Sequence, residues 1–389
     1  MDTERFDFDT VVPRRGTSSY KWDTPDSDDV LPMWVADMDF QAAPCIREAL
    51  RHRVDHGIFG YVKVPDAFYE AQIDWFARRH GWLQQREWIL YTSGVVPAIS
   101  ALIKALTTPG DQVLVQTPVY NCFFSSIRNN GCQVCESPLL YEDGTYHIDF
   151  DDFEAKASLP DVKVFLLCNP HNPAGRVWTA DELRKMGDIC LRHGVFVISD
   201  EIHCELTMPG FTYTPFASLS PQFLLHSATC TSPSKSFNTA GLQIACITIA
   251  DGLVRKATDK AININEVCDV NPFGVIALIA AYTQGEPWLE ALRHYLYANY
   301  CHLRQYFEQH LPQIPVTKLE GTYLVWIDCS ALGKSSTQLS QQLIDRGRVM
   351  LSDGEIYGQH HPPFLRINIA CPRQTLDEGL RRIECGLLA

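Results

Sequence analysis

One lysine stands alone in a stretch of small and hydroxyl-bearing residues. TCTSPSKSFNTAGLQIA, residues 229–245, carries Lys235, and no other charged residue lies between His226 and Asp251. A surface lysine belongs to a polar helix or a charged loop. This one follows Ser232-Pro233-Ser234 and precedes Ser236-Phe237-Asn238. An amine in such surroundings can form an imine with an aldehyde, provided that burial keeps part of it neutral. Other reactive types stand at comparable places: Ser93-Gly94, Tyr120, Asn169 with Asn172, and Asp200 with His203. Singly, an Asp in such a place is more often a cap or turn residue. Together they call for an account of what brings them to one place.

The elements around them supply it. EWILYTSG, QVLVQTP, VKVFLLCNPHNPAG and GVFVISDEIH read as strands, most of them continuously apolar. Between them lie helical patterns. Ile99, Leu102, Ile103 and Leu106 recur at i, i+3, i+4, i+7, and Thr179-Ala180-Asp181-Glu182 reads as a capping box. Continuous apolar strands interleaved with helices predict an α/β fold, a mostly parallel sheet covered on both faces. Ligands bind such sheets beyond the carboxyl ends of the strands, which is where each of these polar residues falls.

After about residue 285 the texture changes. PWLEALRHYLYANYCHLRQYFEQHL reads as one long helix with Leu289, Leu292, Leu296, Leu303 and Phe307 near one stripe, and alternating strands (GTYLVWIDCS, FLRINIAC) and a closing helix follow. Domains run to about 100–200 residues, so 389 residues imply two. The expected division is a large α/β domain over 46–285 and a smaller α+β domain formed by 1–45 with 286–389.

A net charge of −13 with no basic run argues against nucleic acid or an anionic membrane as partner. The charged start MDTERFDFDT shows no signal peptide, and apolar stretches such as Val275–Tyr282 are too short to span a bilayer. Fourteen scattered cysteines then read as reduced thiols in a cytoplasmic protein. Cys132 and Cys135 form a C-x-x-C in a strand-like segment, which points them to opposite faces as ordinary half-buried residues. The adjacent His360-His361 complete no spaced ligand pattern, so no metal is expected.

The rim residues match one group. Amides at a helix start after Gly94, with Ser232 and Ser234, suit a phosphate. Asp200 suits a cationic ring nitrogen, Asn172 a phenolate oxygen, Tyr120 a stacking face, and Lys235 an aldehyde. That set fits pyridoxal 5′-phosphate. Over nearly its whole length the chain resembles the fold-type I, pyridoxal-phosphate-dependent aminotransferase class I/II superfamily, and within it the MalY/PatB family of cystathionine β-lyases. LPMWVADMDF, GIFGYVKVP, SGVVPAIS, TPVYNCFF, CNPHNPAGRVW, SDEIHCEL, SPSKSFNTAGLQ and LRINIACP carry the resemblance.

The resemblance implies a large domain with a seven-stranded, mostly parallel sheet. It also implies that Lys235 bonds the cofactor covalently, Asp200 pairs with its ring nitrogen and Asn172 with its 3-oxygen. His203 stands nearby, where many aminotransferases carry a tyrosine. Tyr120 stacks on the ring. Val95 and Val96 amides, with Ser232 and Ser234, hold the phosphate. Tyr61 reaches the cofactor of a neighbouring subunit, hence a homodimer, and Arg366 grips the substrate α-carboxylate. Gln243 stands where many aminotransferases place a phosphate-binding arginine, which favours the lyase branch.

The expected reaction is β-elimination from L-cystathionine or another S-substituted L-cysteine. It yields a thiol, pyruvate and ammonia, with Lys235 as base and Tyr120 or Tyr61 passing a proton to sulfur. Transamination of an amino acid is the alternative, and a regulatory protein-binding role with secondary catalysis is a second. On residue type alone Tyr61 could be a core tyrosine, Arg366 the partner of a structural carboxylate, and His203 chemically silent.

Overall fold

The computed structural model describes residues 6–265, 270–358 and 362–388, so His360 and His361 lie outside the described residues. Seven strands form the central sheet: β1 (Ile89–Thr92), β2 (Gln112–Val115), β3 (Gln133–Glu136), β4 (Val162–Cys168), β5 (Phe196–Asp200), β6 (Ser227–Thr231) and β7 (Ala245–Thr248). Their spatial order is β1-β7-β6-β5-β4-β2-β3. Strand β7 runs antiparallel to both neighbours, and all other pairs are parallel. The fold is α/β, as the continuous apolar strands require: every residue of β6 and β7 is buried.

Helices cover both faces. They include α1 (Pro44–His56), α2 (Asp66–His80), α3 (Val95–Leu106), α4 (Asn121–Asn129) and α5 (Ala180–His193). Helix α3 buries Ala98, Ile99, Leu102 and Ile103 on the face its periodicity marks out. The capping box at α5 is present. Thr179 Oγ1 accepts from the Glu182 amide at 3.2 Å, and the Glu182 carboxylate accepts from the Thr179 amide at 2.8 Å. Cys132 and Cys135 are fully rather than half buried, and neither is disulfide-bonded.

Helix α6 (Glu286–His310) runs for 25 residues, about 37 Å, and buries Leu289, Leu292, Leu296, Leu303 and Phe307. Beyond it, β8 (Leu324–Asp328), β9 (Ser352–Asp353) and β10 (Phe364–Asn368) form an antiparallel sheet in the order β8-β10-β9, and α7 (Arg373–Leu388) closes the chain. A division at 45/46 and 285/286, proposed from the change of pattern, leaves all seven strands of the large sheet on one side.

The N-terminal segment is irregular but firmly held. Leu31–Pro32 pairs in parallel with Val349–Met350, and the Asp39 amide donates to Ala370 O at 2.9 Å. Lys21, 1% exposed, sits 2.8 Å from Asp39, and Arg14 bridges Asp37 and Asp39. Residues 34–40 thereby become a strap across the carboxyl ends of the large sheet.

A second buried cluster joins α2 to the loop after β5. The Glu205 carboxylate accepts from Trp75 Nε1 at 2.6 Å and Arg79 Nε at 2.8 Å, and lies 2.7 Å from His80 Nε2. His80, Cys204 and Glu205 offer ligand atoms within 4.8 Å of one another, but an arginine in that sphere is the wrong chemistry for a cation. Burial pushes the Glu205 carboxyl up; His80, Arg79 and Trp75 outweigh it and hold the group down at about 2. A depressed carboxyl stabilises the fold fully above its unfolded value near 4.5. That contribution fades as pH falls toward 2. Glu205→Ala leaves Trp75 Nε1 and His80 Nε2 without their acceptor, while Arg79 keeps Glu286 and Glu290. It should cost about 1–3 kcal/mol in denaturant unfolding at neutral pH, and an unchanged stability would refute this role.

Candidate active site

The ends of the central strands enclose one cavity of about 200 Å³. Gly94, Val95, Val96, Tyr120, Asn172, Asp200, His203, Ser234 and Lys235 all border it, with Ala36 of the strap and Gln243. Register explains the convergence: Asp200 is the last residue of β5, level with Cys168 on β4 and Cys230 on β6. Tyr120 is the residue before α4, and Gly94 the residue before α3.

Helix α3 begins without a side-chain cap, so the amides of its first turn point into the cavity end unpaired. Gln243 reaches the cavity from a left-handed backbone, φ 52°. Ser232 departs from its expected place. Its hydroxyl donates to Ile244 O at 2.6 Å and accepts from the Ser234 amide at 3.1 Å, so its proton is already engaged. It shapes the loop that presents Ser234 and does not itself border the cavity. A two-residue spacing in the sequence could not show which serine faces inward.

Lys235 Nζ donates to Ala36 O at 2.7 Å, an oxygen that also accepts from Tyr323 Oη at 2.9 Å. Burial, and then the nearby Arg366 cation, lower the Lys235 amine to about 8, so about a tenth of it is neutral at pH 7. Burial raises the Asp200 carboxyl to about 7; an amide bond from Ile202 and the Lys235 charge oppose the rise without cancelling it. A carboxylate held in that state lacks a cation, and a protonated ring nitrogen would supply one. Burial, followed by Lys235 and Arg366, lowers His203 to about 3, so its imidazole is neutral. Tyr120 is raised far above the usual phenol range by burial and then by Cys122, so it keeps its proton.

Arg366, in the middle of β10, is 5% exposed. It donates through Nη1 to Asn172 Oδ1 at 3.0 Å and through Nη2 to Trp34 O at 3.0 Å and Ser352 Oγ at 3.3 Å. Its Nε is buried without a partner, and among the described residues no carboxylate pairs with it. Its plane lies over the Tyr357 ring, 4.8 Å from the centroid. A buried guanidinium without an anion is costly unless a ligand supplies one.

Tyr61 is elsewhere. It is 93% exposed, on a segment that also exposes Ile58 and Phe59, and it does not border this chain's own cavity.

The donor set that borders this one cavity fits pyridoxal phosphate: helix amides with Ser234, an acid with a raised pKa, a tyrosine and a partly neutral lysine. Sequence reasoning missed the strap's part. Asn238, three residues after Lys235, accepts from the Met38 amide at 3.0 Å and donates to Met38 O and Phe40 O, while Asn368 donates to Val35 O and Asp37 O. The strap acts through backbone carbonyls, which no residue type announces. Tyr323 was legible only as a strand residue.

Known proteins resemble the chain over nearly its whole length. The sequence profile described as "Aminotransferase class I and II" matches residues 28–383. The chain is 45% identical to the cystathionine beta-lyase PatB of Bacillus subtilis (strain 168), over 98% of this chain and 99% of that one. It is 36% identical to protein MalY of Escherichia coli (strain K12), over 96% and 97% respectively. The crystal structure of cystalysin from Treponema denticola, which contains a pyridoxal 5′-phosphate cofactor, matches with a TM-score of 0.95 at 35% identity, covering 98% and 99% of the two chains.

Proposed function

The chain belongs to the aminotransferase class I and II family, and on that footing we propose how its own residues carry out the reaction of its cystathionine β-lyase branch. The protein is a pyridoxal-phosphate-dependent carbon–sulfur β-lyase, acting on L-cystathionine or related S-substituted L-cysteines. The observation that carries the residue assignment is the unpaired Arg366, joined through Asn172 to the cavity that holds Lys235.

When bound, the cofactor supplies an electron sink for the charge that develops at the substrate Cα. Arg366 holds the carboxylate through a planar fork. Asp200 retains a proton at the ring nitrogen as a buried counter-charge. Lys235, part neutral, removes the Cα proton. Lys235, which then holds that proton as an ammonium, is the acid for the departing sulfur, and Tyr120, which stays neutral, relays the proton without giving up its own. The thiol leaves, and hydrolysis of the remaining fragment gives pyruvate and ammonia.

The test is a panel of S-substituted cysteines supplied without any keto acid and scored for free thiol and pyruvate. Equal amounts of both are expected from L-cystathionine. Turnover that requires 2-oxoglutarate and yields glutamate would instead make the protein an aminotransferase.

The assembly is a homodimer in this proposal, because Ile58, Phe59 and Tyr61 are exposed together and Tyr61 has no place in its own chain's cavity. Mixing a Tyr61→Ala subunit with a Lys235→Ala subunit, each inactive alone, should restore up to about a quarter of wild-type activity after exchange. No recovery, with exchange shown by mass, would confine Tyr61 to its own chain.

No helix among the described residues is long and apolar enough to cross a membrane. The described cysteines are free thiols, most of them buried, which supports a reducing, cytoplasmic setting.

A further inference from the structure

Two carboxylates stand at the end of β5, and the reaction above uses one of them. Asp200 borders the cavity; Glu201, 0% exposed, does not. The Glu201 amide donates to Cys230 O at 2.9 Å, which ties the residue to the edge of β6. Its Oε1 accepts from Ser199 Oγ at 2.8 Å, the Phe216 amide at 3.0 Å and Asn169 Nδ2 at 3.3 Å. Its Oε2 accepts from Tyr213 Oη. All four partners are neutral. Burial raises the Glu201 carboxyl, and these donors, Tyr213 first, oppose the rise.

Geometry sets the proton count. A carboxyl proton on Oε1 would face the Phe216 and Asn169 N–H groups. On Oε2 it would turn the Tyr213 proton away, and among the described residues that proton has no other acceptor. The Glu201–Tyr213 pair therefore holds one proton between its two oxygens and one net negative charge. A glutamine would accept the three Oε1 bonds equally well, so the fold needs the shape and not the charge. An unpaired buried charge is destabilising, which points to a use for it.

That use lies next to it. Asn169 donates from its amide to Asp200 O at 2.9 Å and from Nδ2 to Glu201, so it holds both acidic residues in place. Burial is the first cause that lifts Asp200 to about 7, and the Glu201 charge adds to the rise. An anion behind Asp200 strengthens the attraction for any cation in front of it, and a protein interior screens that attraction weakly.

We propose that Glu201 is a positioning residue whose buried negative charge, acting through Asp200, strengthens the hold on a proton at the cofactor's ring nitrogen. This rests on the cofactor assignment above and deepens it.

The experiment measures apoprotein affinity for pyridoxal phosphate and for its 1-deaza analogue, which has carbon in place of the ring nitrogen. Wild type, Glu201→Gln and Glu201→Asp are compared. Glutamine keeps the shape and removes the charge. It should weaken pyridoxal phosphate about tenfold, the equivalent of one pH unit in proton affinity, and leave the analogue unchanged. Aspartate keeps the charge and disturbs the packing, so the ratio of the two affinities should stay near wild type. Asp200, Tyr213, Cys204 and Cys230, the titratable groups around Glu201, are the same in all three proteins.

A ratio unmoved in Glu201→Gln, or moved equally by glutamine and aspartate, would overturn the proposal. Should Glu201→Gln fail to fold, Tyr213→Phe decides. Without the hydroxyl, Oε2 has no donor, the buried carboxyl takes up a proton and the charge is lost. The ratio should again fall about tenfold; equal weakening of both compounds would overturn the proposal. Wild-type apoprotein that binds neither compound would sink the cofactor assignment, and this inference with it.

Discussion

Lys235→Ala should lower pyruvate release from L-cystathionine by at least about 10³-fold while the protein stays folded. The substitution removes the covalent anchor of the cofactor and the base at Cα together, so the loss lies at the upper end of what one acid–base group contributes. The same position carries an opposite effect on stability. The Lys235 amine is lowered to about 8 from 10.5 because burial and Arg366 disfavour its charge. With the folded value below the unfolded one, the ammonium burdens the folded apoprotein throughout the range below pH 8. Stability is regained as pH rises from 8 to 10.5, where the unfolded chain binds the extra proton.

Lys235→Met keeps most of the volume and removes the charge, and Tyr323 still donates to Ala36 O in its absence. Cofactor-free Lys235→Met should therefore be more stable than cofactor-free wild type by about 2 kcal/mol at pH 7, with the difference vanishing above about pH 10.5. Urea midpoints at several pH values measure it. A cofactor-free variant less stable than wild type at pH 7 would show that Lys235 is a structural residue rather than a strained functional one. Proteins commonly hold such groups at some cost to stability.

Arg366→Ala should raise KM for L-cystathionine by about 10²-fold or more, since each charge-assisted hydrogen bond to a carboxylate contributes about 1.5–3 kcal/mol. Arg366→Lys keeps the charge but not the planar fork, and it also loses the reach that satisfies Asn172, Trp34 and Ser352 at once. It should bind substrate at least about tenfold more weakly than wild type. Decarboxylated substrate analogues separate the effects: wild type and Arg366→Ala should handle them about equally. If KM rises alike for substrates with and without the carboxylate, Arg366 acts on the strap alone.

Much of this was readable along the chain. Apolar runs such as VKVFLLC and GVFVISD specify buried parallel strands because side chains alternate between two covered faces, leaving no solvent side to mark with polar residues. The placement of ligands at their carboxyl ends follows from the same fold logic, whereas their spatial order came only with the structure. Asp200, Asn172 and Tyr120 could thus be assigned to one rim from residue type and position, because each stands at or just past the end of a strand-like run, and Lys235 joined them through its isolated charge among small residues.

What the sequence left open depends on atoms that residue type does not label. Ser232 and Ser234 are equivalent on paper, and only the turn geometry sends one hydroxyl to Ile244 O and leaves the other at the cavity. The strap binds through the carbonyls of Trp34, Ala36 and Met38, a property of backbone path that any side chain could accompany. Arg366 could have faced a structural acid; its solitude emerges only when β10 is set against the ends of the large sheet, bringing it to Asn172 from 194 residues away. Local pattern determines which elements form and where reactive groups stand on them. Charge balance, burial and hydrogen-bond partners are sums over distant neighbours, and only the packed chain brings those neighbours together.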